Sequence, residues 1–142
     1  PKVGPLMVGA LAAVQTMVMV LCLLLARWWQ AAFYNPGGYS EEFHVLKLPV
    51  GYVSGVVLLL FFGSSLPPLV SGILPILTIP LVIAGVAFVH GIVGMKNLGK
   101  QWLFAFYISV FLLGPYLFTL LIFISLIDSI VDIRGRLKDT AE

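Results

Sequence analysis

Apolar positions along the chain form long uninterrupted runs rather than an alternating pattern. The first run, Leu6 to Ala26, holds 21 residues without a charge, and Gln15 and Thr16 are its only notably polar side chains. A helix of that length measures about 31 Å, which matches the hydrocarbon core of a bilayer. Residues 27–30 (RWWQ) follow directly and are typical of a membrane–water interface. The pattern predicts a membrane-spanning helix.

Two more runs follow, and both contain proline. Pro49 to Leu66 is predicted to be the second span, since proline is tolerated at the start of a helix. Leu69 to Met95 carries no Asp, Glu, Lys or Arg and is predicted to be the third. Pro75 and Pro80 each remove a backbone donor, so a kink or an unwound turn is expected there. Alternatively, the first half of this run is a separate short element.

The last run, Trp102 to Ile127, has Gly114-Pro115 near its centre. It is either one kinked helix or two unequal halves. Four spans place four Lys and Arg residues on each side of the membrane, so the positive-inside rule gives no orientation. If Gly114-Pro115 turns the chain back, the count becomes seven against one, but each half is marginal or too short to span. Both topologies are kept, and four spans are favoured.

The most polar internal stretch, residues 33–48, separates the first two runs. Asn35-Pro36-Gly37-Gly38 is a strong turn signal, and Ser40 is a plausible N-cap with Glu41 and Glu42 in the first turn. The stretch is predicted to form a loop and a short helix at the membrane interface. A second polar stretch, residues 128–142, ends the chain, and Gly135 is expected to disrupt the helix there.

Composition strengthens the membrane assignment and excludes several classes of protein. The chain is 61% hydrophobic and 10% charged, whereas soluble domains carry about 45–50% apolar and about 25% charged residues. Its net charge of +2 is not gathered on a basic face, which argues against a nucleic-acid partner. The single cysteine, Cys22, excludes an internal disulfide and is expected to pack as a small apolar residue. The predicted fold class is an all-α integral membrane protein, one helical domain over residues 1–142.

Two aspartates near the end of the last run are the first candidates for chemistry. Asp128 and Asp132 are four residues apart, so on a continuing helix they share a face, and their like charges call for a cation. Arg136, one turn further on, can bond Asp132, and Arg134 is also near. The favoured interpretation is a set of ion pairs at a helix end. Binding of a substrate, an ion or a partner is the alternative.

His90 lies close to the end of the third run and is the other candidate. An ionisable group within a membrane usually faces the protein interior or a cavity. A structural role is favoured for it, with a ligand pocket or a proton-linked role as the alternative. The sequence has no second His or Cys beside it, no Gly-rich phosphate loop and no catalytic triad pattern. We therefore expect no metal, no cofactor and no enzymatic activity.

Three segments carry a resemblance to a known family. They are ARWWQAAFYNPGGYSEEFHVLKLP (Ala26 to Pro49), AGVAFVHGIVGMK (Ala84 to Lys96) and ISLIDSIVDIRGRLK (Ile124 to Lys138). In the order and spacing of these segments, the chain resembles the C-terminal half of proteins of the YybS-like family, which are uncharacterised bacterial membrane proteins. The resemblance implies an inner-membrane location and a longer parent chain, in keeping with a first residue other than Met. It supplies no catalytic residues.

Two functions follow as hypotheses. The proline-broken spans and the ionisable groups at their ends favour a small-molecule binding or transport component, and members of the resembled family have been likened to substrate-binding subunits of vitamin transporters. The lack of charge deep within any run favours a structural or interaction subunit of a larger assembly. Expected partners are the lipid bilayer and other membrane helices, from the rest of a longer chain, a second copy or other subunits.

Overall fold

The computed structural model describes residues 3–139, and every regular element in that range is helical. This confirms the all-α prediction for the described residues. The elements are α1 (Val3–Tyr34), α2 (Gly38–His44), α3 (Val50–Phe61), a 3-10 turn (Gly63–Ser65), α4 (Pro68–Met95), α5 (Lys100–Leu113), α6 (Pro115–Val131) and α7 (Ile133–Asp139).

Two of these helices, α1 with 32 residues and α4 with 28, are long and apolar enough to cross a membrane. Helix α1 begins before the predicted run and continues through residues 27–30 without a break. The second predicted span is shorter than expected, because α3 has 12 residues and ends at Phe61. A helix of that length rises only about 18 Å.

Helix α4 is continuous across both of its prolines. The expected unwound turn is therefore wrong, and so is the alternative of a separate short element. Each proline removes one N–H donor, and a single missing bond leaves the bonds on either side intact. The Thr78 hydroxyl donates a hydrogen bond of 2.7 Å to the carbonyl of Pro75, one of the backbone acceptors near the first proline.

The last apolar run is two helices, α5 and α6, separated by Gly114. This glycine has φ +40° and ψ −111°, a conformation that a residue with a side chain rarely adopts. Tyr107 of α5 contacts His90, so α5 folds back along α4. Leu121 of α6 lies against Gly85, and further along the chain Arg134 of α7 lies beside Gly91. Helix α6 therefore runs in the same direction as α4. The pair of α5 and α6 is a helical hairpin.

The hairpin corresponds to the predicted alternative in which Gly114-Pro115 turns the chain back. Lys47 and Asp132 form an ion pair with 2.9 Å between Nζ and Oδ1. The favoured four-span arrangement would place these residues on opposite sides of the membrane, which their direct contact does not fit. Lys2, which belongs to the same charge count, lies outside the described residues.

The chain divides into two compact units, residues 1–39 with 54–80 and residues 40–53 with 81–142. In the first unit α1 crosses the start of α4 at two glycines. A Cβ added to Gly9 would overlap the carbonyl of Gly72, so no larger residue fits at this crossing. In the second unit Gly85 lies against α6, where an added Cβ would stand 2.6 Å from the carbonyl oxygen of Leu121.

Two helix boundaries also differ from the predictions. The polar stretch does form a short helix, but α2 begins at Gly38, so Ser40 lies inside it and is not its N-cap. At the other end of the chain the helix is interrupted at Asp132 instead of Gly135, which lies within α7.

Candidate functional site

Asp128 and Arg134 form a buried ion pair in the second unit. The Oδ2 atom of Asp128 accepts from Nη2 of Arg134 at 2.6 Å and from its Nε at 3.1 Å. The residues are only 2% and 7% exposed, so water contributes little to the solvation of either charge. Burial of an ion pair costs desolvation energy, and further hydrogen bonds to the remaining polar atoms offset that cost.

Arg134 supplies those further bonds to the loop that follows α2. Its Nη1 donates to the carbonyl of His44 at 2.6 Å, and its Nη2 donates to the carbonyl of Leu46 at 2.7 Å. Its guanidinium also lies over the Phe88 ring, 5.7 Å from the centroid. Ser129 binds the same loop through the carbonyl of Leu48, at 3.0 Å. We call this set of contacts, centred on Asp128 and Arg134, the arginine clasp.

Asp132 has entirely different surroundings. It has a left-handed conformation, φ 53° and ψ 56°, which ends α6 and turns the chain into α7. Its side chain is exposed and pairs with Lys47, and its Oδ1 accepts from the backbone N–H of Gly135 at 3.3 Å, as an N-cap of α7 does. The hydrogen bond from Lys47 and that from Gly135 lower the pKa of Asp132 below its ordinary value.

The prediction that Asp128 and Asp132 share a helix face does not extend to their surroundings. Helix α6 ends at the left-handed Asp132, whose N–H still donates to the carbonyl of Asp128, and one carboxylate is buried in the protein while the other is exposed to solvent. Arg136 is exposed on α7, and its backbone N–H donates to the carbonyl of Asp132 at 3.1 Å. Lys47 was not among the predicted residues, because only the return of the hairpin brings it beside Asp132.

His90 is held by three neighbours. Its Nδ1 lies 3.0 Å from the carbonyl of Val86, which only accepts, so Nδ1 carries the proton and donates. In the neutral ring Nε2 is then an acceptor, and the Tyr107 hydroxyl, 3.2 Å away, donates to it. The rings of Phe43 and Tyr107 meet the imidazole edge-to-face at 5.5 and 5.8 Å. Both ring nitrogens are thus engaged within the protein.

Two small cavities open at this end of the second unit, and His44 lines both. One, of about 200 Å³, is lined by His44, Val45, Lys47, Gly91, Met95, Asp132, Arg134 and Gly135. The other, of about 300 Å³, is lined by His44, His90, Val93, Gly94, Asn97, Leu98, Gly99, Lys100 and Leu103. Burial lowers the pKa of His44, and its electrostatic interactions with the His90 imidazole and with the Arg134 guanidinium lower it further.

The ionisable side chains around these cavities are those of His44, Lys47, His90, Lys100 and Arg134, together with the carboxylate of Asp132. Among residues 3–139 no group of three or more His, Cys, Asp or Glu side chains is placed to hold a metal ion. Two buried acceptors close to the clasp, Oδ1 of Asp128 and Oγ of Ser125, have no hydrogen-bond partner among the same residues.

Comparison of the chain with protein-family models, with curated proteins and with solved structures finds no match.

Proposed function

We propose that this chain is a multi-pass membrane protein of the bacterial inner membrane. Two apolar helices of sufficient length support the proposal. Helix α1 adds to this support, because large apolar side chains along most of its length are exposed, and a helix of that kind in water would be an aggregation hazard. The resemblance to YybS-like proteins implies the same location.

Within that membrane, we place the end of α4 near Met95 on the cytoplasmic side. Lys47, Lys96, Lys100 and Arg136 gather at this end of the second unit, and basic residues flanking spans are enriched in cytoplasmic loops. The hairpin of α5 and α6 enters the membrane from that side and returns to it, since helices of 14 and 17 residues are short for a complete crossing.

The function that the geometry supports best is a non-catalytic small-molecule binding or transport component. The observation that carries it is the convergence of ionisable side chains from three separate segments on two cavities that share His44. Lys100 and His44 favour a ligand with an anionic or strongly hydrogen-bonding group, whereas Lys47 is already paired with Asp132. Arg134 is left out of that contact set, because four hydrogen bonds to the protein's own groups engage its guanidinium.

The test is a search for a retained small molecule, followed by a paired substitution. The protein is purified in mild detergent, and native mass spectrometry measures any bound mass below that of a lipid. Lys100→Gln should weaken retention several-fold, because Lys100 lines the larger cavity. Lys96→Gln is the matched control, since Lys96 is exposed and lines neither cavity. Equal retention by both variants, or no retained compound in the parent, contradicts a binding role.

The arginine clasp favours a second candidate, a structural or interaction subunit of a larger membrane assembly. The buried guanidinium of Arg134 donates four hydrogen bonds to the protein's own groups, and these bonds hold the segment after α2 against the end of α6. If purification from native membranes yields a stoichiometric protein partner and no small molecule, this candidate replaces the first.

A further inference from the structure

Most of the surface of helix α1 is exposed, and Gly9 and Ala31 are buried on one side of it. On the opposite face six exposed residues recur at alternating spacings of three and four: Val8, Leu11, Gln15, Val18, Cys22 and Leu25. We call these six residues the α1 stripe. Spacing of this kind is the heptad pattern by which two helices pack along a common seam.

The stripe differs from a purely lipid-facing surface at one position. Gln15 lies near the middle of the uncharged run from Leu6 to Ala26, where the hydrocarbon offers no hydrogen-bond partner. Its amide is exposed and makes no hydrogen bond to any group among residues 3–139. The neighbouring Thr16 donates to the carbonyl of Ala12 at 2.8 Å and so avoids this cost within its own helix. An amide left bare in hydrocarbon is costly, so the stripe requires a polar partner at this depth.

We propose that the α1 stripe packs against the same stripe of a second copy of this chain, with the two Gln15 amides hydrogen-bonded to each other. An amide both donates and accepts, so an identical side chain at the same depth completes it. A parallel pair of identical heptad stripes brings each residue opposite its own copy. The proposal rests on the membrane location proposed above and is independent of the ligand site.

Cys22 makes the proposal directly testable. It is the only cysteine, and it lies seven residues, or two turns, from Gln15 on the same stripe. It was expected to pack among its neighbours, but it is exposed. Two cysteines form a disulfide when their Cα atoms come within about 7 Å, a distance that residues of a shared seam reach. Mild oxidation of the protein in lipid bilayers should therefore produce a disulfide-linked dimer.

The matched control moves the cysteine by one position. In the double variant Cys22→Ser with Leu23→Cys, the thiol remains exposed but lies about 100° around the helix from the stripe. It should crosslink several-fold less. Gln15→Leu should reduce the Cys22 crosslink several-fold, and Gln15→Asn, which keeps the amide, should retain it.

Absence of the Cys22 crosslink, equal crosslinking at position 23, or a crosslink indifferent to Gln15→Leu each overturns the proposal. A crosslink from Cys22 to a different protein also overturns it, because another helix then occupies the stripe. Alkaline carbonate extraction of the same membranes separates this failure from a failure of the membrane location. Protein that stays in the pellet but does not dimerise refutes only the α1 pairing.

Discussion

Asp128 and Asp132 show how far residue spacing predicts surroundings. Four residues apart, they share a face only while the helix continues, and Asp132 ends it with a left-handed conformation. Asp and Asn adopt that conformation more readily than most residues, but the sequence offers no sign of which one does so. The need for a cation could be predicted from the two like charges. The buried position of one carboxylate and the exposed position of the other could not.

The two aspartates should therefore respond unequally to neutralisation. Asp128→Asn leaves the Arg134 guanidinium buried without its counter-charge, a change that costs about 3–5 kcal/mol in buried pairs. Asp132→Asn removes a charge from an exposed pair with Lys47, and a much smaller loss is expected. Thermal unfolding of both variants in detergent is the measurement. A loss in Asp132→Asn equal to or larger than that in Asp128→Asn would contradict the structural weight given to the clasp.

At the scale of elements, the positions of helices follow from the sequence better than their ends. The long apolar runs predict the positions of α1 and α4, because a run of about 20 uncharged, apolar residues is typical of a membrane-spanning helix and of few other structures. The prolines of α4 do not interrupt the helix, so the expected unwound turn was wrong, since one lost donor in an otherwise apolar, packed helix is tolerated. Between α5 and α6 the prediction left open whether the chain forms one kinked helix or two helices. The break there depends on the backbone conformation of Gly114 as well as on Pro115.

Gly114→Ala should destabilise the hairpin. A residue with a Cβ is strained at φ +40° and ψ −111°, by about 1–3 kcal/mol for backbone outliers of this kind. Gly55→Ala is the control, because Gly55 lies within α3 and an added Cβ there meets no atom within 4 Å. The melting temperature in detergent should fall for the first variant and hold or rise for the second. Equal melting temperatures would mean that the turn relaxes without cost.

For the whole molecule, the charge count alone could not fix the topology, because it was tied for four spans. A contact across more than 80 residues of sequence, the pair of Lys47 with Asp132, favours the arrangement that turns back, and no local pattern reveals it. The candidate site has the same origin. His90, Asp128 and Arg134 could be selected from the sequence, but the participation of Lys47 and of the loop carbonyls depends on the return of α6.

Cysteines placed at Lys96 and at Asp139, each in a Cys22→Ser background, should be labelled from the same side of the membrane. Lys96 directly follows α4 and Asp139 ends α7. The two residues lie on one side because the hairpin of α5 and α6 returns to the end of α4 at which it began. A membrane-impermeant maleimide applied to oriented vesicles makes the comparison, with the same variants after detergent lysis as the control for reactivity. Labelling from opposite sides would restore the four-span arrangement.

The arginine clasp also sets an order of events during biosynthesis. Arg134 holds the carbonyls of His44 and Leu46, which leave the ribosome 90 and 88 residues earlier. Until Arg134 emerges and α6 has returned, the loop after α2 has none of these bonds and Asp128 has no buried counter-charge. Long-range contacts of this kind form late. The polar end of the second unit is therefore the last part to close, and a nascent chain stalled before residue 134 exposes an open polar end that quality-control proteases can reach.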